Sequence, residues 1–237
     1  MRVRILKDEG AVARSVASQV AALIAERPDA VLGLPTGRTP IGLYAELRER
    51  HAAGEIDFSR VRTFNLDEFL GLPSNHPASY RTFMDTHLFR HVNLPRRYIH
   101  FLNGMAADAE AECRRYEAAI AAAGGLDLAL LGVGVDGHVA YNMPGPISLP
   151  THVTRLPDGL AASLHVPEAS WPLRAVTMGI GTIRGARAIR VIATGARKAT
   201  AVRMLVHGPE NPDWPCSFLQ SHPDIEVLMD PPAATAL

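Results

Sequence analysis

The sequence predicts an α/β protein built on an open, doubly wound, mostly parallel sheet with helices on both faces. Short apolar segments alternate with segments of helical periodicity along most of the chain, and this alternation is typical of such sheets. The apolar segments are nearly continuous, as at 128–131, which is the pattern of strands buried on both faces. With 237 residues and 47% hydrophobic content, we expect a single domain over 1–237.

Strands are predicted where apolar and β-branched residues cluster. The first, at 3–5, is short and alternates with charge, so we expect it at an edge of the sheet. The others are expected at 30–34, 62–66, 128–131, 175–178 and 188–194, and within 219–229.

Helices are predicted between the strands, where apolar residues recur at helical spacing among many alanines. Their expected ranges are 11–26, 41–50, 76–91, 106–123 and 195–206. Thr39 is placed to cap the second helix, with Pro40 at its first position, where a missing N–H costs nothing. Gly124 and Gly125 end the fourth helix.

Polar clusters follow four of the predicted strands. Ligand sites in open parallel sheets lie beyond the carboxyl ends of the strands, so we expect these clusters to meet at one edge. In chain order they are Thr36-Gly37-Arg38, Asp67-Glu68, Asp136-Gly137-His138 and Arg197-Lys198.

Two of the clusters suit an anion. A glycine-containing turn that leads into a helix N-terminus, as at 35–40, presents free N–H groups to an anion, although an ordinary strand-to-helix turn is the alternative. Lys198 falls in the first turn of a predicted helix, where its charge opposes the helix dipole. A bound anion explains a lysine there better than helix stability does.

The other two clusters suit acid–base chemistry. Asp67 and Glu68 precede the apolar stretch 69–73, which would shield a carboxylate and raise its pKa, although a solvated loop is the alternative. His138 beside Asp136 can act as a general base near neutral pH, although Asp-Gly is also common turn chemistry.

Composition narrows the function classes. Lys plus Arg equals Asp plus Glu at 24 each, so no overall basic field attracts nucleic acid or anionic lipid. No stretch reads as a signal peptide or reaches transmembrane length, so we expect a cytoplasmic protein. Cys113 and Cys216 have no metal-ligand spacing, no metal triad is apparent and no GxGxxG precedes a helix. These observations favour a cofactor-free acid–base enzyme acting on a small anionic metabolite.

The segment at about 145–172 has five prolines and no strong periodicity. A long loop of this kind is either a lid over a site or a surface excursion, and both readings stay open.

The quoted motifs together resemble the glucosamine-6-phosphate deaminase family over nearly the whole chain. They are LPTGRTP at 34–40, FNLDEFLGL at 64–72, HPASYRTFM at 76–84, GVGVDGHVAYN at 132–142, TMGIGTI at 177–183 and TGARKATAV at 194–202. The related 6-phosphogluconolactonases share the Rossmann-like fold and a DGH loop. NLDEF followed by HPASY, and YN after DGH, are similar to the deaminase branch.

The resemblance implies a reaction and its catalytic residues. The ring of an amino-sugar phosphate opens, the C2 proton moves to C1, and ammonia leaves to give a ketose phosphate, with no cofactor and no metal. Asp67 matches the carboxylate that transfers the proton, His138 the residue that opens the ring, and Asp136 the carboxylate that orients His138.

The resemblance also implies a substrate-binding set. Thr36, Gly37, Arg38 and Lys198 match positions around the substrate phosphate, and Arg38 stands where some members have glycine or serine. The full expected set is Thr36, Gly37, Arg38, Thr39, Glu68, Gly137, Met143 and Lys198.

Two departures from the family pattern bear on activity. Where the family has NEPG, this chain has Met143, and a thioether can neither hold charge nor orient an imidazole by a strong hydrogen bond. Leu164, with one gap in the alignment, stands where the family has an arginine on the phosphate, so Arg155 or Arg38 would have to compensate. The family's allosteric residues are not recognisable, which predicts hyperbolic kinetics.

Three functions follow from these observations. The first is isomerisation and deamination of glucosamine 6-phosphate, or of a close analogue, to fructose 6-phosphate and ammonia. The second is hydrolysis of a sugar lactone of the 6-phosphogluconolactonase type, and the third is a sugar-phosphate-binding homologue with reduced activity. The expected partner is a small sugar phosphate, with no nucleic acid and no membrane, and a homo-oligomer is compatible with the sequence.

Overall fold

The computed structural model describes residues 1–158 and 173–237. These residues form ten strands: β1 (Arg2–Ile5), β2 (Val31–Leu34), β3 (Arg62–Asn65), β4 (Asp67–Phe69), β5 (Ile99–His100), β6 (Leu128–Gly132), β7 (His152–Arg155), β8 (Arg174–Thr177), β9 (Ala188–Ala193) and β10 (Ile225–Met229). Seven of them pair in the order β1-β10-β9-β6-β2-β3-β5, and every pairing is parallel. The predicted sheet is confirmed, with β1 at an edge.

The helices between the strands are α1 (Glu9–Glu26), α2 (Ile41–Ala52), α3 (Tyr80–His87), α4 (Ala109–Ala122), α5 (Ile180–Arg184) and α6 (Ala199–His207). Short 3-10 turns occupy Phe89–His91, Arg96–Tyr98, Ala196–Lys198, Pro215–Leu219 and Pro231–Ala234. No helix of the described ranges is both long enough and apolar enough to cross a membrane.

Alternate side chains along the central strands face two different cores. On β6, Leu128 and Leu130 join the cluster that α1, α2 and α3 cover, whereas Ala129 and Leu131 join the cluster that α4, α5 and α6 cover. Strand side chains point to opposite faces with a period of two, so a continuous apolar run fills both cores. Helices on both faces are therefore confirmed.

A second, smaller sheet was not predicted. β4, β8 and β7 pair antiparallel, with Asp67 opposite Thr177 and Thr177 opposite His152. The predicted loop after β3 is therefore strand β4. The predicted loop-rich segment 145–172 holds β7, and its part 159–172 lies outside the described residues.

Several predicted boundaries were wrong. The helix expected over 76–91 begins only at Tyr80, because Ser79 caps it by accepting the N–H of Arg81. The turn expected at 179–182 is the start of α5. Thr39 does not cap α2: Pro40 is the residue at the cap, and no side chain of the described residues accepts a hydrogen bond there.

Candidate active site

A cleft of about 950 Å³ lies beyond the carboxyl ends of the central strands. β2 and β6 are neighbours, and from them the chain runs outward in opposite directions, through β3 and β5 on one side and through β9 and β10 on the other. Such a topological switch point is where open α/β sheets bind ligands. The four predicted polar clusters all contribute side chains to the wall of this cleft.

The turn between β2 and α2 forms one end of the cleft. Thr36, Gly37, Arg38 and Thr39 all line it, and Gly37 has a φ of 90°, which a residue with a side chain rarely adopts. No described side chain caps α2; the Ile41 N–H donates to the Arg38 carbonyl at 3.3 Å, and the N–H groups of Gly42 and Leu43 in the same turn are placed to meet a ligand.

The loop after β9 faces this turn across the cleft. Arg197 and Lys198 line the wall, and the backbone N–H of Gly195 donates to both oxygens of Asp230 at 3.0 Å, which fixes the loop. Burial, followed by the charge of Arg197, lowers the pKa of Lys198. With Arg38, the wall of the cleft presents three cationic side chains, a charge that suits a dianion.

The loop after β6 carries a histidine–carboxylate pair. His138 Nδ1 lies 2.6 Å from Asp136 Oδ1, and the His138 backbone N–H donates to the same oxygen. Burial raises the pKa of Asp136, but the hydrogen bond and charge of His138 outweigh this and lower it. His138 lines the cleft and Asp136 does not, so Asp136 is placed to orient the ring and leave Nε2 for a ligand.

Two glycines shape this loop. A Cβ at Gly134 would overlap the His138 ring, so only glycine lets the ring lie against the strand end. Gly137 has a φ of 81°, and a Cβ there would lie 2.7 Å from Trp214 Cε3. Gly137 thus packs against Trp214 and is absent from the cleft wall, and its contact with substrate stays a prediction.

Asp67 and Glu68 point in opposite directions because they lie on strand β4. Asp67 lines the cleft, is 6% exposed, and lies 3.4 Å from the Thr36 hydroxyl. Burial, with a further contribution from the charge of Glu68, raises its pKa to about 7. A carboxyl group with this pKa can both accept and donate a proton near neutral pH.

Glu68 is not among the residues that line the cleft, and its role in substrate binding stays a prediction. Its carboxylate accepts hydrogen bonds from the Ser79 hydroxyl at 2.7 Å and from the backbone N–H groups of Phe69, Tyr80 and Arg81 at 2.9–3.0 Å. Glu68 therefore ties β4 to the first turn of α3.

Met143 is also absent from the cleft wall, and its contact with substrate stays a prediction. Its side chain packs with a small apolar cluster that contains Phe69, Tyr141 and Leu156. An apolar side chain gains from this burial, which a carboxylate would not.

Of the two arginines considered as replacements for the family's phosphate arginine, only one reaches the cleft. Arg38 lines it, whereas Arg155 lies on β7 and pairs with Asp158 at 3.3 Å. Leu164, at the aligned position of that arginine, lies outside the described residues.

Two tyrosines that the sequence reasoning missed line the cleft. Tyr80 begins α3, Tyr141 follows the DGH loop, and their hydroxyls contact each other. Each belongs to a quoted motif, HPASY and AYN, so the signal was present in the sequence. Glu9, Thr194 and Asp230 complete the polar lining. Over 1–158 and 173–237, no group of three His, Cys, Asp or Glu side chains is close enough to hold a metal ion.

Comparisons with known proteins agree with this arrangement. The family described as glucosamine-6-phosphate isomerases/6-phosphogluconolactonase matches residues 9–228. The chain is 41% identical to glucosamine-6-phosphate deaminase of Alkaliphilus oremlandii over the full length of both, and 45% identical to that of Hahella chejuensis over all of this chain and 92% of the relative.

Solved structures of related proteins also superpose on this chain. A monomeric glucosamine-6-phosphate deaminase superposes with a TM-score of 0.95 at 39% identity, with both chains fully covered. A 6-phosphogluconolactonase from Thermotoga maritima superposes with a TM-score of 0.78 over 97% of this chain and 99% of the other, but at 20% identity, which shows a shared fold alone. The chain belongs to the glucosamine-6-phosphate isomerase/6-phosphogluconolactonase family.

Proposed function

We infer that this chain is a glucosamine-6-phosphate deaminase, which converts glucosamine 6-phosphate and water to fructose 6-phosphate and ammonia. The observation that supports this most directly is one cleft that holds a buried carboxyl group of pKa about 7, a histidine–carboxylate pair and a cluster of cations. Relatives that are 41% and 45% identical carry this name.

We propose that the cationic side chains of the cleft wall anchor the phosphate. Arg38 and Lys198 supply charge, and the turn 36–39 with the uncapped N-terminus of α2 supplies N–H donors. Anchoring the phosphate orients the far end of the sugar toward the acid–base groups, which turns the proton transfers into reactions between fixed partners.

We propose that His138 and Asp67 divide the proton transfers. His138, oriented by Asp136, moves the proton between O1 and the ring oxygen, so the C1–O5 bond breaks and the open-chain aldehyde forms. Asp67 then removes the C2 proton while the C2 ammonium group gives a proton to O1, which forms an enolamine, and the same carboxyl group returns the first proton to C1, which leaves an iminium at C2. This iminium takes up water and releases ammonia. Each acid–base role is typically worth about 10²–10⁴ in rate.

The residues that we assign to the site all lie on one chain. All the groups in this proposal come from a single copy, and one relative of solved structure is described as monomeric. A homo-oligomer is therefore compatible with the activity without being required for it. We also propose one domain over 1–237, and a cytoplasmic location, which suits a relative of sugar-phosphate enzymes.

The test is an incubation with glucosamine 6-phosphate, unphosphorylated glucosamine and 6-phosphogluconolactone, with ammonia and ketose followed by NMR. We expect ammonia and fructose 6-phosphate from the first substrate only, and the matched variant Asp67→Asn should lose this activity. Lactone hydrolysis without ammonia would overturn the proposal in favour of the lactonase reading. Saturable binding without turnover would favour a sugar-phosphate-binding homologue.

A further inference from the structure

Segment 211–217, between α6 and β10, lies against the loop that carries the histidine–carboxylate pair. The backbone N–H of Cys216 donates to the carbonyl of Gly137 at 2.9 Å. A Cβ built at Gly137 would lie 2.7 Å from Trp214 Cε3 and 3.2 Å from Cys216 Sγ, so both side chains pack directly on this glycine. The middle residue of the Asp-Gly-His motif is therefore held by a segment from a distant part of the chain.

Segment 211–217 is closed by its own hydrogen bonds. The Trp214 N–H donates to the carbonyl of Asn211 at 2.9 Å, and the Ser217 N–H donates to the carbonyl of Trp214 at 2.8 Å. The Ser217 hydroxyl accepts the Asn211 N–H at 2.9 Å. Cys216 and Ser217 are both fully buried. The segment therefore offers the loop a well-defined surface to pack on.

The other hydrogen bonds of residues 134–138 stay within the loop itself. The Gly134 N–H donates to the His138 carbonyl at 2.8 Å, and the Gly137 N–H donates to the Gly134 carbonyl at 3.1 Å. The His138 N–H and Nδ1 both meet the aspartate of the same loop. Within the described part of the chain, the N–H of Cys216 thus makes the one hydrogen bond that reaches this loop from outside.

The backbone of Gly137 sets the geometry of the pair on either side of it. Its φ of 81° lets Asp136 Oδ1 reach His138 Nδ1 at 2.6 Å, although only one residue separates them. An ionised carboxylate only accepts hydrogen bonds, so Nδ1 carries the ring proton and Nε2 keeps its lone pair for the cleft. If the turn at Gly137 relaxed, this hydrogen bond would break and the ring would lose its single tautomer.

We propose that Trp214 is a positioning residue for His138, whose indole ring holds the turn at Gly137 and so keeps the imidazole in the Nδ1–H form with Nε2 facing the substrate. The proposal rests on the function inferred above, because that function gives His138 the proton transfer that opens the sugar ring. Trp214 acts without touching substrate, since it is not among the residues that line the cleft.

The direct test is the tautomer of His138, measured by the ¹⁵N NMR shifts of its ring nitrogens in protein without substrate, with His138→Gln used to assign the signals. The spectra are recorded at about pH 8.5, about two units above the ordinary histidine pKa. Trp214→Ala removes the ring and Trp214→Phe keeps an aromatic ring at this position. Phe58→Leu is the matched control, because Phe58 is a fully buried aromatic residue of the core on the opposite face of the sheet.

The wild type should show the Nδ1–H form of His138 almost alone, because the Asp136 carboxylate selects it. In Trp214→Ala at least about one third of the ring should shift to the Nε2–H form, since which nitrogen carries the proton depends on that hydrogen bond. Trp214→Phe and Phe58→Leu should match the wild type. Trp214→Leu, which keeps apolar bulk but no ring, should shift in the same direction, and it carries the test if Trp214→Ala does not fold.

Kinetics give a second readout. In Trp214→Ala, kcat for ammonia release should fall about 10- to 100-fold, because a displacement of about 1 Å in a catalytic group can cost about 10²-fold in rate. KM should change by less than about threefold, because Arg38 and Lys198 belong to other loops. Trp214→Phe should retain kcat within about threefold of the wild type.

A His138 tautomer that is the same in Trp214→Ala and the wild type would overturn the proposal, and so would a wild type that carries the proton on Nε2. An equal fall of kcat in Phe58→Leu would also overturn it, because a general loss of stability would then explain the result. If the wild type releases no ammonia, the proposed function fails, but the tautomer measurement still decides whether Trp214 positions His138.

Discussion

Compared with the wild type, the variant Asp67→Asn should become increasingly stable as the pH rises from about 4 to about 7, and it should lose most of the activity. Asparagine has nearly the same shape as aspartate but carries no charge and accepts no proton. The wild-type side chain is 6% exposed, and its pKa lies at about 7 in the folded protein against an ordinary value of 3.8. Between these two values the folded wild type holds a proton that the unfolded chain has lost.

This difference fixes the sign and size of the effect. Wherever the folded state binds more protons than the unfolded state, the free energy of unfolding falls with pH, by about 1.36 kcal/mol per pH unit for one proton. The wild type therefore loses stability from about pH 4 to about pH 7, roughly three units and so about 4 kcal/mol in all, and then levels off. Asp67→Asn lacks this loss, so its free energy of unfolding relative to the wild type should rise through the same range.

The measurement is urea unfolding of both proteins, followed by circular dichroism at steps of about one pH unit from about pH 4.5 to about pH 8.5. These values cover the interval in which Asp67 should titrate in the folded protein. Glu68 also has a pKa raised by burial, but it is present in both proteins, so most of its contribution cancels in the difference. A difference in unfolding free energy that is flat across the series would refute the argument that Asp67 titrates near neutrality. Ammonia release should fall about 10²- to 10⁴-fold at pH 7.5.

Three further outcomes are expected. Lys198→Gln should raise KM for glucosamine 6-phosphate at least about tenfold in steady-state assays, since one charged contact to a dianion is lost, and an unchanged KM would remove Lys198 from the phosphate site. Gly137→Ala should lower the free energy of unfolding by about 1–3 kcal/mol in urea, because its φ is 81° and a Cβ would press on Trp214; no loss would mean that the loop shifts at little cost. Glu68→Gln should lower that free energy by about 1–3 kcal/mol, with the exposed Glu55→Gln as control, because one of its oxygens becomes a donor facing donors.

The sheet and the location of the site could be predicted because both follow from short-range patterns. Continuous apolar runs marked the buried strands, and the polar residues directly after them had to meet at the carboxyl edge. Thr36, His138 and Lys198 line the cleft as that reasoning requires.

The direction of individual side chains could not be predicted in the same way. Asp67 and Glu68 were treated as one pair because the chain after β3 was expected to be a loop, and only the pairing of β4 with β8, more than a hundred residues later, separates their faces. Met143 was judged by its position in a motif, but its packing depends on Phe69 and Leu156, which no local pattern connects to it.

The contact between the Tyr80 and Tyr141 hydroxyls could not be predicted from the sequence either. Tyr80 and Tyr141 are 61 residues apart in the chain and come from different elements, so nothing in either segment indicates that their hydroxyls meet. The aromatic residues of HPASY and AYN were visible in the sequence, but a cleft lining made from distant segments becomes visible only with the fold.

The four hydrogen bonds that converge on Glu68 have a consequence for local unfolding. Three of them join the residue that follows Asp67 to the cap and first turn of α3, which carries Tyr80, so β4 cannot separate from α3 without breaking all three. The backbone amides of Tyr80 and Arg81, which donate to Glu68 across this junction, should therefore exchange with solvent deuterium together when β4 and α3 separate, rather than by independent fraying of the helix end. Asp67 on β4 and Tyr80 on α3 therefore belong to elements that should open together.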